Sequence, residues 1–99
     1  MTHIPPQHPG VTIVEDILKP LGLSMNQLAL ELHVPATRIS EICRGRRAIS
    51  AETALRLSRW LGSSPDFWLG LQAQYDLDVA RDLQEARIKR QIRPRKSAA

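Results

Sequence analysis

The chain predicts an all-α fold of five helices, the last of them extended. Apolar residues recur three and four positions apart through most of the sequence, the spacing of one helical face. No stretch alternates at the two-residue period of a strand, and cap, proline and glycine signals break the helical runs at short intervals. The 99 residues suffice for one domain around one modest core.

Residues 1–9 hold three of the seven prolines and read as a flexible lead-in. From Gly10 the pattern turns helical, with Ile13, Ile17, Leu18 and Leu21 on one side and Glu15, Asp16 and Lys19 on the other. Pro20 disfavours helical geometry at Lys19, so the first helix is expected to stop there, with Gly22 making the turn.

Leu23 to Gly45 is the most structured stretch of the sequence. Ser24 can cap a helix, Gln27 completes a capping box, and Leu23 and Leu28 occupy the positions of a hydrophobic staple. Leu28, Ala29 and Leu32 form its inner face. After a short turn at His33 and Val34, Pro35 stands where a first helical turn tolerates proline. Ile39, Ile42 and Cys43 then make a second apolar stripe that leaves Ala36, Thr37, Arg38, Ser40, Glu41 and Arg44 outside, and Gly45 ends the helix. Two short capped helices across a tight turn have the form of a helix-turn-helix. The outer face of the second is small and polar, as the major groove requires. A generic helical hairpin would also give such a pair.

Arg46, Arg47 and Ala48 form a basic loop, with Ile49 as a plug into the core. Ser50 caps a fourth helix, Ala51 to Leu61, that buries Ala54, Leu57, Ser58 and Leu61, and Gly62 closes it. Ser64, Pro65 and Asp66 supply a cap, a first-turn proline and an acid at the positive end of the dipole. The last helix carries an apolar stripe through Phe67, Trp68, Leu71, Tyr75, Val79, Leu83 and Ala86. A small domain cannot cover five turns of such a stripe. Its far end, Tyr75, Val79, Leu83 and Ala86, is therefore expected to meet a second copy of the chain. Residues 10–88 thus read as one domain ending in a dimerisation helix, and residues 89–99, basic and broken by Pro94, as a disordered tail.

The net charge is +4, but its placement says more than its sum. Residues 1–86 are slightly acidic, whereas Arg87, Lys89, Arg90, Arg93, Arg95 and Lys96 crowd the end of the chain. Within the body, Arg38, Arg44, Arg46 and Arg47 lie within ten residues, opposed only by Glu41. Two basic patches on an acidic domain fit a polyanion partner; the plainer reading is a solvated tail and a solubilising loop. A single cysteine makes no internal disulfide and, packed behind the second stripe, reads as an inert core thiol in a reducing compartment. No apolar run approaches the ~20 residues of a membrane span, and the N-terminus lacks the features of a signal peptide, so the expected location is the cytoplasm.

Enzymatic chemistry finds no footing. His3, His8 and His33 are scattered without partners at metal spacing, Ser64 sits in a cap rather than a nucleophile elbow, and Asp76 and Asp78 face opposite sides of a helix. No glycine loop cradles a phosphate. The expectation is a non-enzyme without metal or cofactor.

The segments His8-Pro9-Gly10, Leu18 to Ser24, Gln27-Leu28-Ala29, Arg38 to Ile42, Arg46 to Ile49, Thr53 to Leu57, and Phe67 to Gln72 with Tyr75-Asp76-Leu77 resemble, in order and spacing, the HigA-type antitoxins. These are phage-repressor-like helix-turn-helix proteins, so the resemblance implies a lambda-repressor-like DNA-binding domain. It also implies two activities: a homodimer that binds an inverted-repeat operator and represses its own operon, and neutralisation of a HigB-like toxin with RelE-like mRNA-cleaving activity, as in a type II toxin–antitoxin system. By the same resemblance Ala36, Thr37, Arg38, Ser40 and Glu41 fall on the base-reading face. The fork of Arg38 suits guanine O6 and N7, Thr37 can bond or lay its methyl on thymine, and Glu41 can accept from cytosine. Arg38 could instead be paired with Glu31 or Glu41. Ser24, Asn26 and Gln27, at the start of the first helix of the pair, are phosphate candidates through exposed N–H groups and the helix dipole. Met25 stands where the wider class usually has glutamine. Arg44, Arg46 and Arg47 would hold phosphate by charge. The rival readings are a free-standing transcriptional regulator of the same fold and a helical protein-binding adaptor.

Overall fold

The structure, a computed structural model, describes residues 4–96. The outermost residues of the expected lead-in and tail, 1–3 and 97–99, lie outside the described residues. Five helical segments follow one another, and no strand occurs among the described residues.

Helix α1 starts at Pro9, where the missing N–H costs nothing, and His8 caps it by accepting a 2.9 Å bond from the Gly10 N–H at Nδ1. It runs as Pro9–Ile13, passes through a π-helical turn at Val14–Leu18, and ends with Lys19–Leu21. The expected stop at Lys19 is thereby corrected. In a regular α-helix the Pro20 ring would press on the carbonyl four residues back. The Lys19 N–H bonds Val14, five residues back, so the helix is widened ahead of the proline and carries it into a last turn. Leu21 ends up 56% exposed rather than on the inner face. Gly22, at φ 65°, terminates the helix, and the Leu23 N–H closes back on the Leu18 carbonyl at 2.9 Å.

Helix α2 (Met25–Leu32) has the predicted capping box in both directions: Ser24 Oγ accepts from the Gln27 N–H, and Gln27 Oε1 from the Ser24 N–H. His33 ends it at φ 57°, the left-handed region that glycine usually fills. Helix α3 (Ala36–Cys43) follows Pro35, and Gly45 at φ 75° lets the chain turn back so that the Arg46 N–H reaches the Glu41 carbonyl at 2.8 Å. Helix α4 (Ala51–Leu61) is capped by Ser50 and ended by Gly62, with Leu61 turned to solvent rather than buried. Helix α5 (Pro65–Gln91) starts at the Ser64 cap and continues three residues beyond the expected boundary at 88; residues 92–96 have no regular structure.

One apolar core joins these pieces. Ile13 of α1, Leu28 of α2, Ile39 and Ile42 of α3 and Leu57 of α4 are fully buried; Ile49 plugs the core from the loop, and Trp68 closes it from α5. Each full burial of such a side chain stabilises by about 1.5–3 kcal/mol. Gly10 is the tightest contact: a Cβ there would collide with the Ile42 carbonyl, so α1 crosses α3 backbone to backbone. That crossing fixes the height of α3, whose other face is free.

Candidate nucleic-acid interface

Helix α3 buries Ile39 and Ile42 and shows Ala36, Thr37 and Arg44 to solvent, with Arg38, Ser40 and Glu41 half-buried along the same outer side. The stripe that holds the helix down is therefore the one read from the sequence, and the outer residues are the expected ones. Pro35 offers no side-chain cap, whereas His8, Ser24, Ser50 and Ser64 cap the other helices. Among the described residues, no side-chain cap closes the first N–H groups of α3.

The electrostatics around this face are organised by two ion pairs. Arg47 reaches Glu41 at 3.2 Å, which lays the basic loop alongside α3. Arg38 is held at 2.8 Å by Glu52, in the first turn of α4. Neither Glu31 nor Glu41 is its partner. Arg44 and Arg46 are exposed beside them. Glu41 is thus engaged by Arg47, which partly answers its local negative charge. Ser24 and Gln27 spend one side-chain oxygen each on the capping box, while the Ser24 hydroxyl proton and the Gln27 amide N–H groups stay available to an anion. Asn26 is exposed between them.

Two residues of the family-like segments, Gln72 and His8, position the interface through contacts that join distant parts of the chain. Gln72, buried on α5, accepts the Ile49 N–H at 2.8 Å and donates to Asp76 at 2.9 Å, anchoring the end of the basic loop to the last helix. His8 stacks edge-on against Tyr75 at 4.9 Å, and its ring would touch a side chain at Gly45. Burial holds its pKa below the ordinary 6.5, against a backbone hydrogen bond with Arg47 and the charge of Asp76 that pull the other way. The bond that Nδ1 accepts from Gly10 is one that the neutral ring makes. The Cys43 thiol is half-buried, and burial raises its pKa despite the neighbouring Arg44, which favours the thiol over the thiolate.

The four residues expected at a dimer contact divide. Tyr75 is half-buried against His8 of its own chain, and Val79 is half-buried at the edge of the body. Leu83, 75% exposed, and Ala86 stand clear of it. Among the described residues no group of three or more His, Cys, Asp or Glu side chains converges on a metal site, and no helix is long and apolar enough to cross a membrane.

The helix-turn-helix family model matches residues 14–68. Virulence-associated protein I of Dichelobacter nodosus is 49% identical over 77 residues, 78% of this chain and 71% of its own length. A HigA-family addiction module antidote protein from Coxiella burnetii superposes with a TM-score of 0.89 at 38% identity, over 93% of this chain and all of that one. The Pseudomonas aeruginosa antitoxin HigA, solved with the higBA promoter, superposes with a TM-score of 0.88 at 36% identity, over 90% of this chain and 97% of that one.

Proposed function

Because the chain belongs to the helix-turn-helix family, in the branch of the HigA antitoxins, we propose that it is the antitoxin and autorepressor of a toxin–antitoxin module. It binds an inverted-repeat operator as a homodimer and silences a HigB-like, RelE-type toxin. The observation that carries the DNA half is the open outer face of α3, held against the core by Ile39 and Ile42 and flanked by Arg44, Arg46 and Arg47. In this reading Ala36, Thr37, Arg38, Ser40 and Glu41 meet base edges, and Ser24, Asn26, Gln27 and the three loop arginines meet phosphate.

Salt titration of duplex binding tests it. Arg46→Ala and Arg47→Ala should weaken operator and random duplex alike and reduce the salt slope by about one unit each. Arg38→Ala or Thr37→Ala should cost about 1–3 kcal/mol on the operator and little on random duplex. Loop mutants that keep the wild-type slope would remove the phosphate assignment, and a chain with no salt-dependent duplex binding would be the adaptor instead.

For the toxin, the folded body is the better surface, chiefly α1 and the exposed side of α5. Beyond Ala86 the only large apolar side chains are Ile88 and Ile92, too few to bury against a partner. A chain truncated after Ala86 should still bind a co-expressed toxin. If it releases the toxin and growth stops, the C-terminal segment is the neutralising element.

A further inference from the structure

Arg38 is not a free surface arginine. Its NH1 group sits 2.8 Å from Glu52 Oε1, and its side chain is only 28% exposed. Glu52 lies on a different helix, fourteen residues on, in the turn that follows the Ser50 cap. The same carboxylate oxygen faces Arg56 Nε at 3.9 Å, and Arg56 NH1 donates to the carbonyl of Leu32, the last residue of α2, at 3.0 Å. The end of α2 is thereby linked through α4 to the outer face of α3 by two hydrogen bonds and one longer charge contact, the buried Arg56 Nε itself making no hydrogen bond among the described residues. The components of this link are long side chains from two helices, gathered around the one Glu52 carboxylate oxygen.

Folding gives little reason for this arrangement. The Glu52 side chain is 60% exposed, and pairs in such positions add little to stability. A carboxylate next to a surface meant for a polyanion is also an electrostatic handicap. A gain at the reading step accounts for both facts. A guanidinium has five N–H groups in a rigid fork, and the bond to Glu52 uses one of them. The rest of the fork remains for a base edge, with its rotamer chosen before DNA arrives. Preorganisation of this kind reduces the ordering cost of binding, and it does so only where the base edge matches.

We propose that Glu52, backed by Arg56, is a specificity-determining positioning residue: it aims the Arg38 guanidinium at one base pair while touching no DNA itself. This rests on the reading of α3 as the helix that meets bases.

The test uses the full chain and the tightest duplex that it selects from a randomised pool, all single-base-pair variants of that duplex, and a scrambled control. Arg38→Ala should relax preference at one base pair of each half-site by about tenfold or more. Glu52→Gln keeps the shape and loses the charge; it should relax the same base pair by roughly three- to tenfold, leave scrambled duplex bound as well or better, and leave the melting temperature nearly unchanged. Arg38→Ala with Glu52→Gln should match Arg38→Ala alone, since one residue acts through the other. Arg56→Ala should show a weaker form of the same relaxation. Glu52→Gln that tightens every duplex equally, or adds its effect to that of Arg38→Ala, would overturn the proposal and make Glu52 a simple repulsive charge. If Arg38→Ala itself leaves base preference intact, or the pool yields no preferred sequence, the base-reading assignment of Arg38 fails and the role of Glu52 falls with it.

Discussion

The body of the protein and the outer half of α5 obey different rules. Up to Tyr75 the helices bury one continuous apolar core, and each short helix is closed by a cap, a glycine or both. From Ala80 to Ile92 every residue is exposed, and the helix is held by pairs along its own surface: Arg81 with Asp78 and Glu85, and Lys89 with Glu85. Each such pair is worth about 0.2–0.5 kcal/mol. A helix that leaves the core yet keeps Leu83 at 75% exposure has more apolar surface than a lone domain needs. The body buries its own apolar faces; the projecting half leaves Leu83 uncovered, and a second copy of the chain is the partner proposed for it.

Substitutions across this boundary should separate the two regimes. Leu57→Ala empties a fully buried site and should cost about 2–5 kcal/mol in denaturant unfolding. Gly10→Ala, for its collision with the Ile42 carbonyl, should be as severe. Leu83→Ala, by contrast, should leave the unfolding of an isolated protomer within about 0.5 kcal/mol of the original. If Leu83→Ala destabilises a dilute, monomeric sample as much as Leu57→Ala does, the projecting half belongs to the body after all.

Assembly gives the next contrast. Val79→Asp with Leu83→Asp should yield a folded monomer that binds operator poorly. Sedimentation that still shows a dimer would move the interface to another surface, such as the opposite side of α5, where Leu77, Ala80 and Ile88 line a shallow apolar hollow.

Smaller effects sharpen the picture of the body. His33 adopts a backbone conformation that suits glycine, so His33→Gly should stabilise by up to about 1 kcal/mol, read as a rise of a few degrees in melting temperature. His8 prefers its neutral form in the folded protein and can lose its acceptor role at Gly10 when protonated. Its folded pKa lies below 6.5, so the unfolded chain binds the proton more readily. Its contribution is therefore complete above 6.5 and declines as pH falls through 6.5 towards the lower folded value. His8→Asn keeps a capping side chain that does not titrate; its melting temperature should fall less over the same interval. Equal falls would place the pH sensitivity elsewhere.

Most of the body was legible because its signals are local. The Ser24–Gln27 box, the Ser50 and Ser64 caps and the stripes of α2 and α3 are each complete within a few residues, and Ile49 was readable as a plug. The π turn before Pro20 was not, because proline reports only that a regular helix is unfavourable, not that the preceding turn can widen. The partner of Arg38 was equally hidden. Local spacing offers Glu41 and Glu31, whereas Glu52 approaches only once α4 has packed. His8 and Tyr75, 67 positions apart in sequence, meet for the same reason. The helical character of α5 to Gln91 exceeds its apolar stripe because charge pairs, which the stripe does not register, continue it.

Two bodies joined through their projecting helices, as proposed, would present two copies of α3 to one face of DNA. A symmetric pair should set them about 34 Å apart, one helical turn of the duplex. The direct measurement is affinity for a series of duplexes in which the spacing between inverted half-sites is changed one base pair at a time. Binding should peak at one spacing and, about half a turn away, fall to the affinity of a single half-site. Affinity that does not depend on spacing, with the protein dimeric at the concentrations used, would contradict this arrangement.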